Sequence, residues 1–294
     1  MKRLAGILFV LVLIAYFGWS YITSSHGDQA VAYNPADREC YSSDDISWRY
    51  CIHRAKQGTN DGIAYLLHGR NLDEKTWNDD TFYTSMLQNY WSESNVKPPI
   101  VVTVSFGPVW LLTPKGKATK SGLLQSFIDK VIPTVESKIG QPSYRAVFGE
   151  SMGGLNALIV GLRSPQLFRK VAALCPGVYK DASPYSSISK MSETIKRTGA
   201  EPLVIYGIIS LAKDYVSDEA EWNDIAPIEI LKSMTAPKST EYYLSADLYD
   251  KYGNFEGSQE LSRIAKQKNF KIQWRPIYGG HCAVDITSLG DFLL

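Results

Sequence analysis

The sequence has little of what would mark a nucleic-acid binder, a metal protein or a repeat array. Acidic and basic residues nearly cancel to a formal net charge of +1. No stripe of Lys and Arg with interleaved aromatics occurs, which argues against a nucleic-acid surface. Only four cysteines and four histidines are present. They form no C-x-x-C pair and no local Cys/His cluster, so their spacing offers no metal site. No internal repeat is visible, and no low-complexity linker follows residue 40. That excludes a solenoid and a string of tethered modules.

Charge is also missing from residues 4–22, "LAGILFVLVLIAYFGWSYI". The run is about as long as a helix needs to cross a hydrocarbon core. Lys2 and Arg3 precede it and Asp28 follows, an asymmetry that would leave the N-terminus in the cytoplasm. Residues 1–27 therefore read as a signal-anchor. A cleaved signal peptide is the second reading, although no Ala-x-Ala follows and Ser25-His26-Gly27 is the nearest substitute. A buried core helix is the third. Residues 23–37 read as a tether. Under the first two readings residues 28–294 lie outside the cytoplasm (periplasmic or extracellular), anchored to the membrane or secreted.

Cysteine placement suits such a compartment. Cys40 and Cys51 flank "YSSDDISWRY", and a disulfide across that hairpin would leave Cys175 and Cys282 as the complementary pair. Four cysteines permit three pairings, and four free thiols is the other reading.

What the chain does have is alternation. "ISWRYCIHRA", "GIAYLLHG", "PPIVVTVSFG", "YRAVFGES", "KVAALCPG", "TEYYLSA" and "FKIQWRPIYGG" read as strands. Helical patterns stand between them, such as "DDTFYTSMLQNYWSES", "GLLQSFIDKVIPTVESKIG" with its interrupting Pro133, and "EGSQELSRIAKQKN". Strands alternating with helices predict one α/β domain over residues 28–294, with a mostly parallel sheet covered on both faces. Continuous apolar runs such as Ile100 to Val104 fit strands buried on both sides. Residues 178–230, irregular and richer in Ser, Asp and Tyr, predict a helical excursion over the sheet edge.

One turn carries chemistry. In "VFGESMGGLNA" a β-branched strand runs into Ser151 and a helix starts at once. Gly149 and Gly153 let the backbone crowd there, so the hydroxyl would stand exposed above the sheet. The helix N-terminus offers free N–H groups to a developing oxyanion. A nucleophilic serine needs a base. His26 lies in the tether, His53 within an early strand and His68 at a strand end. Only His281 follows Ser151, as the order nucleophile, acid, base requires. The acid should lie between them, past a strand end, and spacing leaves Asp247 and Asp250 both open; the one not used would be a turn residue. The backbone N–H of Met152 and that of Arg70, after "IAYLLHG", are the candidate oxyanion donors. The Arg70 side chain reads as solvated or structural, with an anionic substrate as the sharper alternative.

These segments resemble the α/β-hydrolase superfamily. More narrowly, the chain is similar to the putative-esterase family that includes esterase D (S-formylglutathione hydrolase), feruloyl esterases, enterochelin esterases and the antigen 85 mycolyltransferases. The likeness runs from about residue 60 to 285 through "YLLHGRNLDEKTW", "FIDKVIPTVE", "VFGESMGGLNAL", "DLYDKYGNFEGSQEL" and "YGGH". It implies an α/β-hydrolase fold and favours Asp250, in "DKYGNFEG", over Asp247. "HCAVD" after the histidine and the loop "FGPVWLLTPKGKATK" depart from the family's usual pattern. The expected activity is a serine carboxylic-ester hydrolase acting on a small-molecule ester or thioester through an acyl-enzyme, with no metal or organic cofactor. The alternatives are acyl transfer to an envelope lipid or sugar, and a catalytically silent membrane-anchored binding protein.

Overall fold

The computed structural model describes the backbone of residues 2–23, 30–45 and 47–294. Helix α1 covers Lys2–Thr23. Its side chains are described only at Gly6 and residues 9–18, and these are exposed. Among the described residues no helix is long and apolar enough to cross a membrane. The weak cleavage site and His26 lie outside the described residues. Part of the expected tether is not a tether, because residue 37 already begins a strand.

The strands are β1 (Asp37–Ser42), β2 (Arg49–Arg54), β3 (Gly62–Leu67), β4 (Ile100–Ser105), β5 (Tyr144–Glu150), β6 (Lys170–Leu174), β7 (Glu241–Asp247) and β8 (Lys271–Ile277). They form one sheet in the order β1-β2-β4-β3-β5-β6-β7-β8. Only the β1–β2 and β2–β4 pairings are antiparallel. The rest are parallel, as expected for strands joined by helical crossovers. Cys40 pairs with Cys51 across the β1–β2 ladder and is bonded to it, and Cys175 is bonded to Cys282.

The inner strands are apolar without alternation because both of their faces are covered. Tyr65, Val102, Val147 and Val171 pack into one helix layer. Leu66, Val101, Phe148 and Ala172 pack into the other. The covering helices include α2 (Tyr83–Glu93), α3 (Leu123–Ser126) and α4 (Ile132–Ile139). Between α3 and α4 the chain takes a π-turn over Phe127–Val131, immediately before Pro133. Pro133 has no N–H to give the previous turn, and a widened turn absorbs that missing bond without ending the helix.

Helix α5 (Met152–Arg163) follows β5 directly. The excursion between β6 and β7 contains α6 (Ile188–Thr198), α7 (Pro202–Ala212), α8 (Glu219–Ile225) and α9 (Pro227–Ser233). It leaves the sheet between β6 and β7, the sixth and seventh of its eight strands. Helices α10 (Phe255–Gln267) and α11 (Ile286–Leu293) flank β8 and close the fold.

Candidate active site

Ser151 sits between β5 and α5 with φ 55° and ψ −115°, a conformation that a non-glycine residue keeps only where its surroundings over-determine it. They do so through backbone. A Cβ on Gly149 would stand 2.2 Å from the Leu67 carbonyl oxygen, and one on Gly153 only 1.7 Å from the same atom. Only glycine fits at either place, and the tight turn follows. Ser151 N–H donates to the Leu174 carbonyl at 2.9 Å, and Leu155 N–H donates to Ser151 O at 3.0 Å. The serine is thus held between β6 and the first turn of α5.

His281 arrives from the loop after β8. Its Nε2 lies 3.0 Å from Ser151 Oγ, and its Nδ1 lies 2.7 Å from Asp250 Oδ2. A carboxylate oxygen only accepts, so Nδ1 carries the hydrogen and Nε2 is left to accept from the serine hydroxyl. Asp250 is completely buried at its side chain, and its other oxygen accepts from Tyr252 N–H at 2.8 Å. The Tyr252 ring lies against the imidazole, with centroids 3.9 Å apart. Of the two aspartates that spacing left open, Asp250 is the one that touches His281.

Asp247 does more than the turn residue expected of it. It ends β7, is fully buried, and accepts from Cys282 N–H at 3.0 Å. That bond fixes the residue after His281. Burial first, and then the neighbouring Asp250 charge, push the Asp247 carboxyl up to about 7. The Cys175–Cys282 disulfide ties the same loop to the end of β6. The structure therefore gathers Cys175, His281 and Cys282, with ligand-type atoms within 4.8 Å of one another, where sequence spacing showed no cluster. Both sulfurs are bonded to each other and both imidazole nitrogens are engaged.

The loop after β3 approaches from the other side. His68 is buried and burial lowers its pKa to about 4, so the ring is neutral. Its Nδ1 lies 2.7 Å from Gly69 O, and its Nε2 accepts from Trp110 Nε1–H at 3.2 Å. Arg70 is not solvated: it is buried, it lines the cavity that opens at Ser151, and its Nη2 has no hydrogen-bond partner. His53 is a core residue on β2, near Thr103 Oγ1 at 3.3 Å.

Sequence reasoning passed over Glu150, the variable residue of the G-x-S-x-G pattern. It is fully buried. Its Oε1 accepts from Gly69 N–H, and Tyr83 Oη donates to its Oε2 at 3.1 Å. Burial pushes its carboxyl up to about 8. One side chain thereby links the Ser151 turn to the loop of Arg70. The signal available was an acid just before the serine, in a strand otherwise without charge past Arg145.

A curated protein of Xylanibacter ruminicola, described as an endo-1,4-beta-xylanase/feruloyl esterase, is 28% identical over 127 residues. The match covers 40% of this chain but only 17% of that protein's length. Among solved structures, a ferulic acid esterase shares 16% identity with a TM-score of 0.59, covering 89% of this chain and 95% of its own. An S-formylglutathione hydrolase from Agrobacterium tumefaciens shares 15% with a TM-score of 0.58, covering 90% and 95%. An arylesterase shares 15% with a TM-score of 0.63, covering 94% and 91%. At such identities the structural likeness speaks for the fold alone. The family described as "Putative esterase" matches residues 50–282, most of the chain, so this protein belongs to the putative esterase family.

Proposed function

We propose that the protein is a serine carboxylic-ester hydrolase in which Ser151 is the nucleophile, His281 the general base and acid, and Asp250 the residue that orients the imidazole. The observation that carries this is the continuous line Asp250 Oδ2, His281 Nδ1 and Nε2, Ser151 Oγ, with separations of 2.7 and 3.0 Å. Ser151 Oγ attacks the ester carbonyl carbon while its proton passes to His281 Nε2. The carbonyl oxygen, now negative, is met by the backbone N–H groups of Met152 and Arg70. The C–O bond to the alcohol breaks as His281 returns the proton to the leaving oxygen, giving the acyl-enzyme. Water, deprotonated by the same histidine, then frees the acid and restores Ser151.

The catalytic unit in this reading is residues 28–294. The uncharged run at residues 4–22 would hold it at a membrane, facing an oxidising compartment that suits its two disulfides.

Labelling by a fluorophosphonate probe tests the chemistry. Modification at Ser151, lost in Ser151→Ala, together with hydrolysis of p-nitrophenyl acetate, is the expected result. An unlabelled, inactive but folded protein overturns it, and release of acyl product only in the presence of a sugar acceptor replaces hydrolysis by transfer. Carbonate extraction of membranes tests the anchor: recovery of the full chain in the soluble fraction removes it.

A further inference from the structure

The cavity at Ser151 is partly open to solvent. Its walls are mostly apolar. Val109 comes from the loop after β4, Leu155 from α5, Met191 from α6, and Ile205, Ile208 and Ile209 from α7. Besides Ser151, four hydroxyl-bearing side chains line it, Tyr179, Ser183, Tyr215 and Tyr252, and the first three hydroxyls are spent elsewhere. Tyr179 Oη donates to Tyr252 O at 3.0 Å, Tyr215 Oη to Val109 O, and Ser183 Oγ to Glu219 Oε2. Tyr179 and Tyr215 therefore offer rings to the cavity, with their donors already committed. The polar lining groups that remain are Arg70, Trp222, Tyr252, Asn254 and His281, of which Tyr252 lies against His281. Asn254 donates to the carbonyl of Cys175, one residue past the Leu174 carbonyl that receives Ser151 N–H.

Resting on the esterase reading above, we propose that this cavity takes the acyl part of the substrate and that the acyl group is an unbranched aliphatic chain. Two arguments carry the assignment. His281 must face the leaving oxygen to protonate it, so the alcohol belongs on the side of the loops that bear His281 and Asp250. Those loops line one part of the cavity through Tyr252, Asn254 and His281, and expose Tyr249 and Tyr278 to solvent outside it. The apolar space walled by α6 and α7 is left for the acyl group. The α6 and α7 walls offer only apolar side chains, so a phenolic hydroxyl placed against them would lose its hydrogen bonds to water. A saturated chain meets no such penalty and gains with each methylene that leaves water.

The test uses the full chain and p-nitrophenyl esters with one leaving group: acetate, butyrate, octanoate and ferulate. The expected result is a kcat/KM for octanoate above that for both acetate and ferulate by on the order of tenfold or more. Ile208→Trp, which fills the α7 wall, should lower the octanoate-to-acetate ratio by about tenfold. Fluorophosphonate labelling reports whether the site of the variant is folded, and the wild-type series decides the matter alone where it is not. A flat series, or a preference for ferulate, in protein that labels at Ser151 overturns the acyl assignment while the esterase reading stands. Failure to label or to turn over any ester overturns the esterase reading, and the acyl assignment falls with it.

Discussion

At the floor of the site a Cβ on Gly153 would lie 1.7 Å from a carbonyl oxygen, whereas in the roof Ile188 and Leu203 leave 80% and 69% of their surface in water. The floor is backbone against backbone: β3, β5, β6 and the first turn of α5 meet around Ser151 with no spare volume. The roof, α6 to α9, is held by side chains. Arg197 reaches Asp181 and Glu256, and Lys190 reaches Asp181, all partly exposed pairs of small individual worth. Groups that must hold the geometry of bond breaking stand on the part that cannot move. Groups that choose what is bound stand on the part that can change.

Five substitutions would break or sharpen that contrast. Ser151→Ala should lower kcat/KM for an activated ester by at least about 1,000-fold with an unchanged circular dichroism spectrum. Gly153→Ala, one methyl group at the floor, should destabilise the fold by about 4 kcal/mol or more, read from urea denaturation; a mild effect would mean that the floor yields after all. Cys282→Ser opens a bridge between residues 107 apart and should cost roughly 2–5 kcal/mol of stability. Turnover should fall as well, because the histidine loop then loses its covalent tie to the end of β6.

Glu150→Gln acts through pH. Burial raises the Glu150 carboxyl from 4.5 to about 8, so the folded chain keeps a proton that the unfolded chain sheds. Stability from this group is therefore greatest at low pH, falls as pH rises from 4.5 to about 8, and levels beyond, by up to about 1.4 kcal/mol per unit. The glutamine variant should flatten that slope in a series of melting curves. Asp247, raised from 3.8 to about 7 by the same cause, supplies the slope that remains. Smallest of all, Lys190→Ala in the roof should change stability by less than about 1 kcal/mol; a loss above about 2 kcal/mol would show the roof to be as rigidly held as the floor.

Legibility in the sequence followed the same divide. The floor could be read because it depends on covalent order and on residue types with no substitute: two glycines about a serine, a strand before, a helix after, and one histidine downstream. Asp250 needed the family likeness, since two aspartates three residues apart on one loop cannot be told apart by periodicity, and only the fold shows which carboxylate meets the imidazole. Glu150 escaped notice because its partners, Gly69 N–H and Tyr83, are 81 and 67 residues away. The roof was recognised as helical, yet where it leaves the sheet depends on strand order, and β6 and β7 become neighbours only in three dimensions.

The outermost strand of the sheet has a bearing on how this enzyme wears out. β8 has a single neighbour and alternately exposed residues, and it contains Pro276, tolerable only where no further strand asks for its hydrogen. The imidazole hangs from the far end of that strand, which is the first place in the sheet that warming will fray. Ageing or heated protein should accordingly fall silent while most of its secondary structure is still intact, and the sulfur bridge beside the histidine sets how long that interval is deferred.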